Sequence, residues 1–479
     1  MIGERSEPVA LGTAPGRWLV VVTVLASGMA FLDATAVQVA LPAIGAEFDA
    51  SLSGLQWTVT GYTLTLAALI LLGGSLGDRF GRRRIFLVGV VWFAVASLVC
   101  GLAQDIGQLV AARALQGVGG ALLTPGSLAL IQSSFRPADR ARAIGLWTAL
   151  GGVAGLIGPF LGGVLVDAVS WRLVFLINVP VAVVIVVVAG RHVPESRDPR
   201  HHGRFDYAGA ALGALALGGL TYGLIAAGDE PASADVLAAA AVGVAAGTGF
   251  VVRERRAVDP MLPPRLFRDR QFSGANAATL AVYGALGGSG LFLVLQLQTV
   301  LGYDATGAGA AMLPTILVIT LLAPRFGALA QRIGPRLPMT VGPLTVAAGT
   351  LLLAGVDGGA PYAVEVLPGS LLQGLGMAIT VAPLTATVLA AAPDAMAGIA
   401  SGVNNAVARA AQLLAVAALP VVVGLEGDDY ADPEAFTGGY RAAMLLCAAL
   451  FLAGGALSWA TIRNDVLGTS ESGRSPAAP

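Results

Sequence analysis

Long apolar runs alternate with short polar ones along almost the whole chain. Fourteen apolar stretches are long enough to cross a bilayer at roughly 20 residues per spanning helix. They lie at 18–40, 54–76, 85–103, 107–131, 143–166, 172–190, 206–227, 233–252, 273–300, 306–325, 338–356, 362–391, 396–424 and 438–461. The pair between 206 and 252 is the most weakly marked, because its runs are built largely from Ala and Gly. An even number of spans returns both termini to one side. The connections are short, and even the longer polar ones, 191–204 and 253–271, leave no room for a catalytic domain. The pattern predicts an all-α polytopic protein embedded in the lipid bilayer.

Composition sharpens this reading. Of 479 residues, 56% are hydrophobic and only 12% charged, against about 25% charged in soluble domains. That excludes a soluble enzyme, a disordered chain and a nucleic-acid binder, which needs a basic surface. All 28 basic residues are Arg, which with the abundant Ala and Gly reads as the codon bias of a GC-rich bacterial genome. A chain without lysine has no Walker-type phosphate loop. Cys100 and Cys447 lie in apolar runs, so no disulfide framework or thiolate site is expected. His192, His201 and His202 share one loop and read as solvated, so neither a metal nor another cofactor is expected. The run from Trp18 to Leu41 is too long for the apolar region of a signal peptide and contains Asp33.

Arginine placement orients the chain. With alternating spans, 24 of the 28 Arg fall in the termini and the even-numbered connections. One odd-numbered connection holds Glu426, Asp428, Asp429, Asp432 and Glu434. The positive-inside rule then makes both termini cytoplasmic, in a bacterial cytoplasmic membrane.

An internal repeat supplies the architecture. Gly74–Arg83 and Gly327–Arg336 share Gly, Leu, Arg, Gly and Arg at an offset of 253 residues, and Leu115–Ala121 matches Leu372–Ala378 at an offset of 257. Both shifts equal eight spans. The expected organisation is a cytoplasmic N-terminus (1–17), a six-helix bundle (18–190), linkers carrying two extra helices (191–272), a second six-helix bundle (273–461) and a cytoplasmic tail (462–479). Duplicated halves around a midplane site are a transporter architecture. Arg113 aligns with Ser370 and Asp78 with Gln331, so ion coupling is expected mainly in the first half.

Five segments in order carry a family resemblance: Leu32 to Pro42, Gly74 to Arg84, Leu109 to Ala121, Gly145 to Gly163, and Trp171 to Pro180. On these the chain resembles the major facilitator superfamily, in its fourteen-helix drug:proton antiporter branch. Gln38 and Ala154 depart from the usual Asn and Gly of that branch without removing a charge. The resemblance implies that Gly74, Asp78, Arg79, Gly81, Arg82 and Arg83 form a cytoplasmic latch. It implies also that Gly145, Gly158, Pro159, Gly162 and Gly163 form the antiporter motif, whose small residues allow close helix approach.

Asp33 is the one carboxylate well inside a predicted span, where a charge costs about 2.5–3.5 kcal/mol on insertion scales. Arg113 lies at a similar depth, roughly 10 Å from the same membrane face by helical rise. Burial works against a charged Asp33 and a nearby guanidinium works for it, which suits a site where protonation and substrate compete. The plainer reading is an ion pair that locks two helices. Candidate cavity residues are Gln38, Tyr62, Gln116, Tyr283, Gln296, Gln298, Asn404, Asn405 and Arg409. Gln296 and Gln298, two apart, cannot share a helical face. Arg409 has no intramembrane acid in its own half and serves either helix packing or an anionic group of the substrate.

The expected function is proton-coupled export of hydrophobic or amphipathic small molecules by a monomer working through alternating access. One alternative is a dedicated exporter of an endogenous metabolite, antibiotic or lipid. Another is a non-transporting receptor that reuses the fold.

Overall fold

The computed structural model describes residues 9–196, 206–228, 230, 233–257, 260–393, 396–425, 429 and 432–464. His201 and His202, Glu426 and Asp428, and the outer parts of both terminal segments lie outside the described residues. In chain order the long helices are α1 (Ala14–Phe48), α2 (Leu52–Phe80), α3 (Arg82–Gly101), α4 (Ile106–Ser134), α5 (Pro137–Ala168), α6 (Arg172–His192) and α7 (Tyr207–Ala226). They continue as α8 (Ala234–Arg256), α9 (Arg270–Val300), α10 (Ala305–Ile333), α11 (Arg336–Leu353), α12 (Tyr362–Ala390), α13 (Ala397–Val422) and α14 (Pro433–Thr461).

Fourteen spans were expected; among the described residues, twelve helices are long and apolar enough to cross a membrane. The bent helix α2, which turns by 49° between Ile70 and Leu72, makes a thirteenth if taken as one span. The expected span 143–166 falls within α5, of which Val153–Ala168 forms a shorter apolar helix.

Short polar residues start these helices by satisfying their free N–H groups. Asp105 accepts from the Gln108 amide at 2.8 Å, Asp269 from Phe272 at 2.8 Å, and Asp304 from Gly307 at 2.7 Å. Pro180 has no N–H to offer the carbonyl of Leu176, and α6 breaks at Ile177 into two helical pieces.

Helix pairing repeats with a shift of eight. α2 packs on α4 as α10 packs on α12, α3 on α4 as α11 on α12, and α1 on α5 as α9 on α13. The hairpin of α7 and α8 sits outside this scheme, with α7 against both α2 and α13. Trp57 and Tyr222 meet there with ring centroids 6.1 Å apart, and Arg253 ties the hairpin's open end to Asp206 at 3.0 Å.

Both described termini lie at one end of the molecule. Val9 bonds the last turn of α4 at Ser134, and Arg463 bonds Gln271 at the start of α9. The far ends of α1 and α9 meet where Gln298 donates to the Val39 carbonyl at 3.0 Å. At this distal end one apolar core draws on both groups of helices, from Leu41 and Leu55 to Phe292 and Phe436. At the terminal end each group has its own core, around Phe86 and Phe135 in one and Phe272 and Met339 in the other. Among the described residues the two groups thus share a core distally and keep separate cores toward the termini.

Candidate functional site

Asp33 sits fully buried on α1, and its carboxylate is surrounded by donors from two other helices. Arg113 of α4 reaches Oδ2 through Nη1 at 2.6 Å, with both side chains at most 1% exposed. Gln116, one turn further along α4, donates to Oδ1 at 2.7 Å, and Asn178 of α6 donates to the same oxygen at 3.1 Å. The two amides also share Ser97 of α3, at 2.6 and 3.2 Å. Arg113 donates through Nε to the Thr58 carbonyl of α2 at 3.0 Å and through Nη1 to Gln116 Oε1. Its guanidinium lies 4.4 Å from the Tyr62 ring centroid and 5.6 Å from that of Phe175.

The sequence places these groups for local reasons. Arg113 and Gln116 are three apart and share one face of α4. Asn178 follows the break that Pro180 imposes, and the break turns its amide inward. Gly117 and Gly120 let α4 lie close to α2, since a Cβ at Gly117 would overlap the Tyr62 carbonyl and one at Gly120 would press on the Tyr62 hydroxyl at 3.1 Å. A buried ion pair that makes further hydrogen bonds to two side-chain amides and a backbone carbonyl is an arrangement that makes burial of two charges more tolerable. Oδ1 thus accepts from two amides and Oδ2 from the guanidinium, so both carboxylate oxygens are held by donors from other helices.

The remaining predicted cavity residues divide. Tyr62 and Gln116 belong to the Asp33 cluster. Tyr283 is partly buried and packs against both the distal core and the terminal core of its own group. Gln296 is buried and donates to the Val356 carbonyl at 3.0 Å, and Asn404 donates to Thr279 at 2.7 Å and Asn276 at 3.2 Å. Both amides are thus engaged within their own group of helices. Gln298 bridges the two groups at the distal end, Asn405 is exposed and bonds its own helix at Ser401, and Gln38 is partly buried.

At the terminal end, Asp78 pairs with Arg82 at 2.7 Å across one turn. Arg79 lies over the Phe80 ring at 5.6 Å, and Arg83 donates to the Val193 carbonyl at 2.8 Å. A Cβ at Gly74 would make ordinary van der Waals contact with Pro125. Gly81 has φ 112°, and a Cβ there would lie 2.8 Å from the Glu195 carboxylate. Glu195, which carries no signal in the sequence, is the hub of this corner. It accepts from the Arg83 and Arg84 amides at 3.0 and 3.1 Å, a carboxylate on the N-terminus of α3. Glu195→Ala is expected to lower stability by about 1–2 kcal/mol, the usual worth of such a cap, read as a fall in the unfolding midpoint of the purified protein. An unchanged midpoint would show the cap to be dispensable.

The distal end is joined by three further contacts between the groups. Asp167, at the end of α5, accepts from the Ala305 and Thr306 amides and the Thr306 hydroxyl at 3.2, 2.7 and 2.6 Å. Gln56 donates to the Val416 carbonyl at 2.7 Å. Gly163 lies against the Ala305 backbone and Gly309 against that of Pro159, so α5 and α10 touch main chain to main chain. Against α1, a Cβ at Gly158 would overlap the Thr35 hydroxyl and one at Gly162 would press on Ala36, whereas a Cβ at Gly145 would meet nothing within 4 Å.

A family model described as Major Facilitator Superfamily matches residues 23–416. Multidrug resistance protein Stp of Mycobacterium tuberculosis is 38% identical over 394 residues, covering 80% of this chain and 72% of that protein. The tetracenomycin C resistance and export protein of Streptomyces glaucescens is 36% identical over 84% of this chain and 75% of its own length. The puromycin resistance protein pur8 of Streptomyces alboniger is 34% identical over 98% of this chain and 96% of its own length. In fold, the chain resembles a bacterial homologue of the human lysosomal transporter Spinster, with a TM-score of 0.67 at 15% identity, covering 94% of this chain and 97% of that one.

Proposed function

The chain belongs to the major facilitator superfamily, and we propose that it is a proton-coupled antiporter that exports amphipathic, drug-like small molecules. The observation that carries the reading is the buried Asp33, ringed by Arg113, Gln116 and Asn178 between the helices of the first group. A carboxyl group at that depth, held by donors from two other helices, is a coupling element for alternating access. Relatives named for multidrug resistance and for resistance to single antibiotics support the substrate class.

In this reading the protein is a monomer of the fourteen-helix branch in a bacterial cytoplasmic membrane, with both termini cytoplasmic. The bundles 18–190 and 273–461 rock about a central cavity, and the helices in 191–272 are an insertion. The geometry described above, with one shared core distally and separate cores toward the termini, is then the inward-facing state. The latch residues around Asp78 and the small residues of α5 act on the two gates. Relatives whose names specify one antibiotic favour a second reading, a dedicated exporter of one such compound.

The deciding measurement is compound-induced proton movement in everted vesicles containing the full chain, across neutral, monocationic, dicationic and anionic compounds. Proton release on addition of some of them supports antiport. A transported compound that moves no protons, with or without a pH gradient, overturns the coupling.

A further inference from the structure

A groove runs down the outer face of α3 from the corner that Glu195 organises. It encloses about 550 Å³ and begins at Arg83 and Arg84, with Val88, Val91, Trp92 and Val95 along its length. These four apolar side chains are 44–57% exposed, so no described helix covers them. From Arg84 to Val95 the helix rises about 16 Å, close to half of the roughly 30 Å bilayer core. The groove is thus one leaflet deep, charged at its mouth and apolar below.

Trp92 gives it a fixed wall. Interfacial tryptophans sit at the level of the lipid headgroups, whereas Trp92 lies about 12 Å below Arg84 by helical rise. Its Nε1 donates inward to the Leu115 carbonyl of α4 at 2.7 Å. The indole therefore needs neither water nor a headgroup, and its ring stays against the helix surface.

The charge at the mouth is unbalanced. Arg82 is paired with Asp78, and the Glu195 carboxylate is taken up by the Arg83 and Arg84 amides. Arg83 sends Nη1 to a neutral partner, the Val193 carbonyl, at 2.8 Å. Arg84 is exposed, and among the described residues its side chain forms no ion pair. Two guanidinium groups thus stand beside one carboxylate that backbone amides already hold.

We infer that the groove binds an anionic glycerophospholipid of the leaflet at the terminal end. Its phosphate sits on Arg84 and Arg83, and one acyl chain lies along Val88, Val91, Trp92 and Val95. A guanidinium fork matches a phosphate in two parallel bonds, and a zwitterionic lipid brings its own ammonium as competitor for that phosphate. The inference rests on α3 spanning the membrane and is independent of what the chain exports.

Trp92 reports on the groove directly, because bromine on an acyl chain quenches an indole only at contact. The purified full chain is placed in phosphatidylcholine vesicles with rising fractions of acyl-brominated phosphatidylglycerol or acyl-brominated phosphatidylcholine. The share due to Trp92 is the difference between the protein and Trp92→Phe. Half-quenching of that share is expected at an about fivefold lower fraction of the anionic lipid, the worth of one arginine at a membrane surface. Arg84→Gln should remove the preference and Arg84→Lys should keep most of it. Arg332→Gln, which removes a charge at the terminal end of α10, should leave it unchanged. Unaltered quenching of the remaining tryptophans shows each variant to be intact. The inference is overturned if both lipids quench Trp92 equally, or if the preference survives Arg84→Gln. It fails too if Arg332→Gln lowers the preference as much, which is general surface attraction, or if neither lipid reaches Trp92, as when the chain itself fills the groove.

Discussion

Asp33→Asn is expected to abolish compound-driven proton movement, reducing it to the level of vesicles without the protein. The substitution keeps the shape of the side chain and removes the group that can exchange a proton, so on the antiport reading the step that links the two gradients is lost outright. It also leaves Arg113 buried beside Tyr62 and Phe175 without its counter-charge. Breaking one side of such a pair costs about 3–5 kcal/mol, so a lower unfolding midpoint is expected as well. That loss is a complication, because an ion pair serving only to hold α1 against α4 would give an unstable and inactive variant too. The double variant Asp33→Asn with Arg113→Gln separates the two. Two neutral amides can bond each other and Gln116, so stability should recover in large part while proton movement stays absent. If the double variant recovers both, the pair is a structural lock and the coupling carboxyl lies elsewhere.

Much of the fold is legible in the sequence, because a bilayer sets the length of each apolar run and an apolar run of that length has only the helix open to it. The repeat of Gly74–Arg83 at Gly327–Arg336 also anticipates the recurrence of helix pairing at a shift of eight. Asp33 and Arg113 stand out because a charge inside an apolar run is rare and costly, and their depths match by counting. Their neutral partners are a different matter. Asn178 and Ser97 are as compatible with an apolar run as any small polar residue. Which way they point is decided by the break at Ile177 and by the packing of α3, neither of which leaves a periodic signal. The same ambiguity explains Gln296 and Asn404, which turn into the packing of their own group. Asp167 and Glu195 carry the opposite disguise. Each sits where a span meets a connection and reads as an ordinary solvated acid, until the chain brings the N-terminus of α10 or of α3 against it.

The distal seam gives the second large effect. Gly163→Val is expected to drive the protein out of the closed-distal state and to reduce transport at least tenfold. A Cβ at Gly163 would overlap the Ala305 carbonyl, and both partners are main chain, so no side chain can rotate away. Overpacking of this kind costs about 1–3 kcal/mol. If the two end states are near balance, that moves their ratio by roughly five- to 150-fold toward the state in which α5 and α10 part. The Asp167 bonds to Ala305 and Thr306 lie about one turn beyond the contact and would be pulled open with it. Spin labels at Val169 and Val422, both well exposed and on different groups of helices, should report a longer distance in the variant. Gly145→Val is the contrasting case. It belongs to the same run of small residues, but a Cβ there meets open space, so it should leave both the distance and the transport rate nearly unchanged. If the two variants behave alike, the glycines of α5 act through helix flexibility and not through contact with α10. If only Gly163→Val opens the distal end, the main-chain contact is the element that holds it shut.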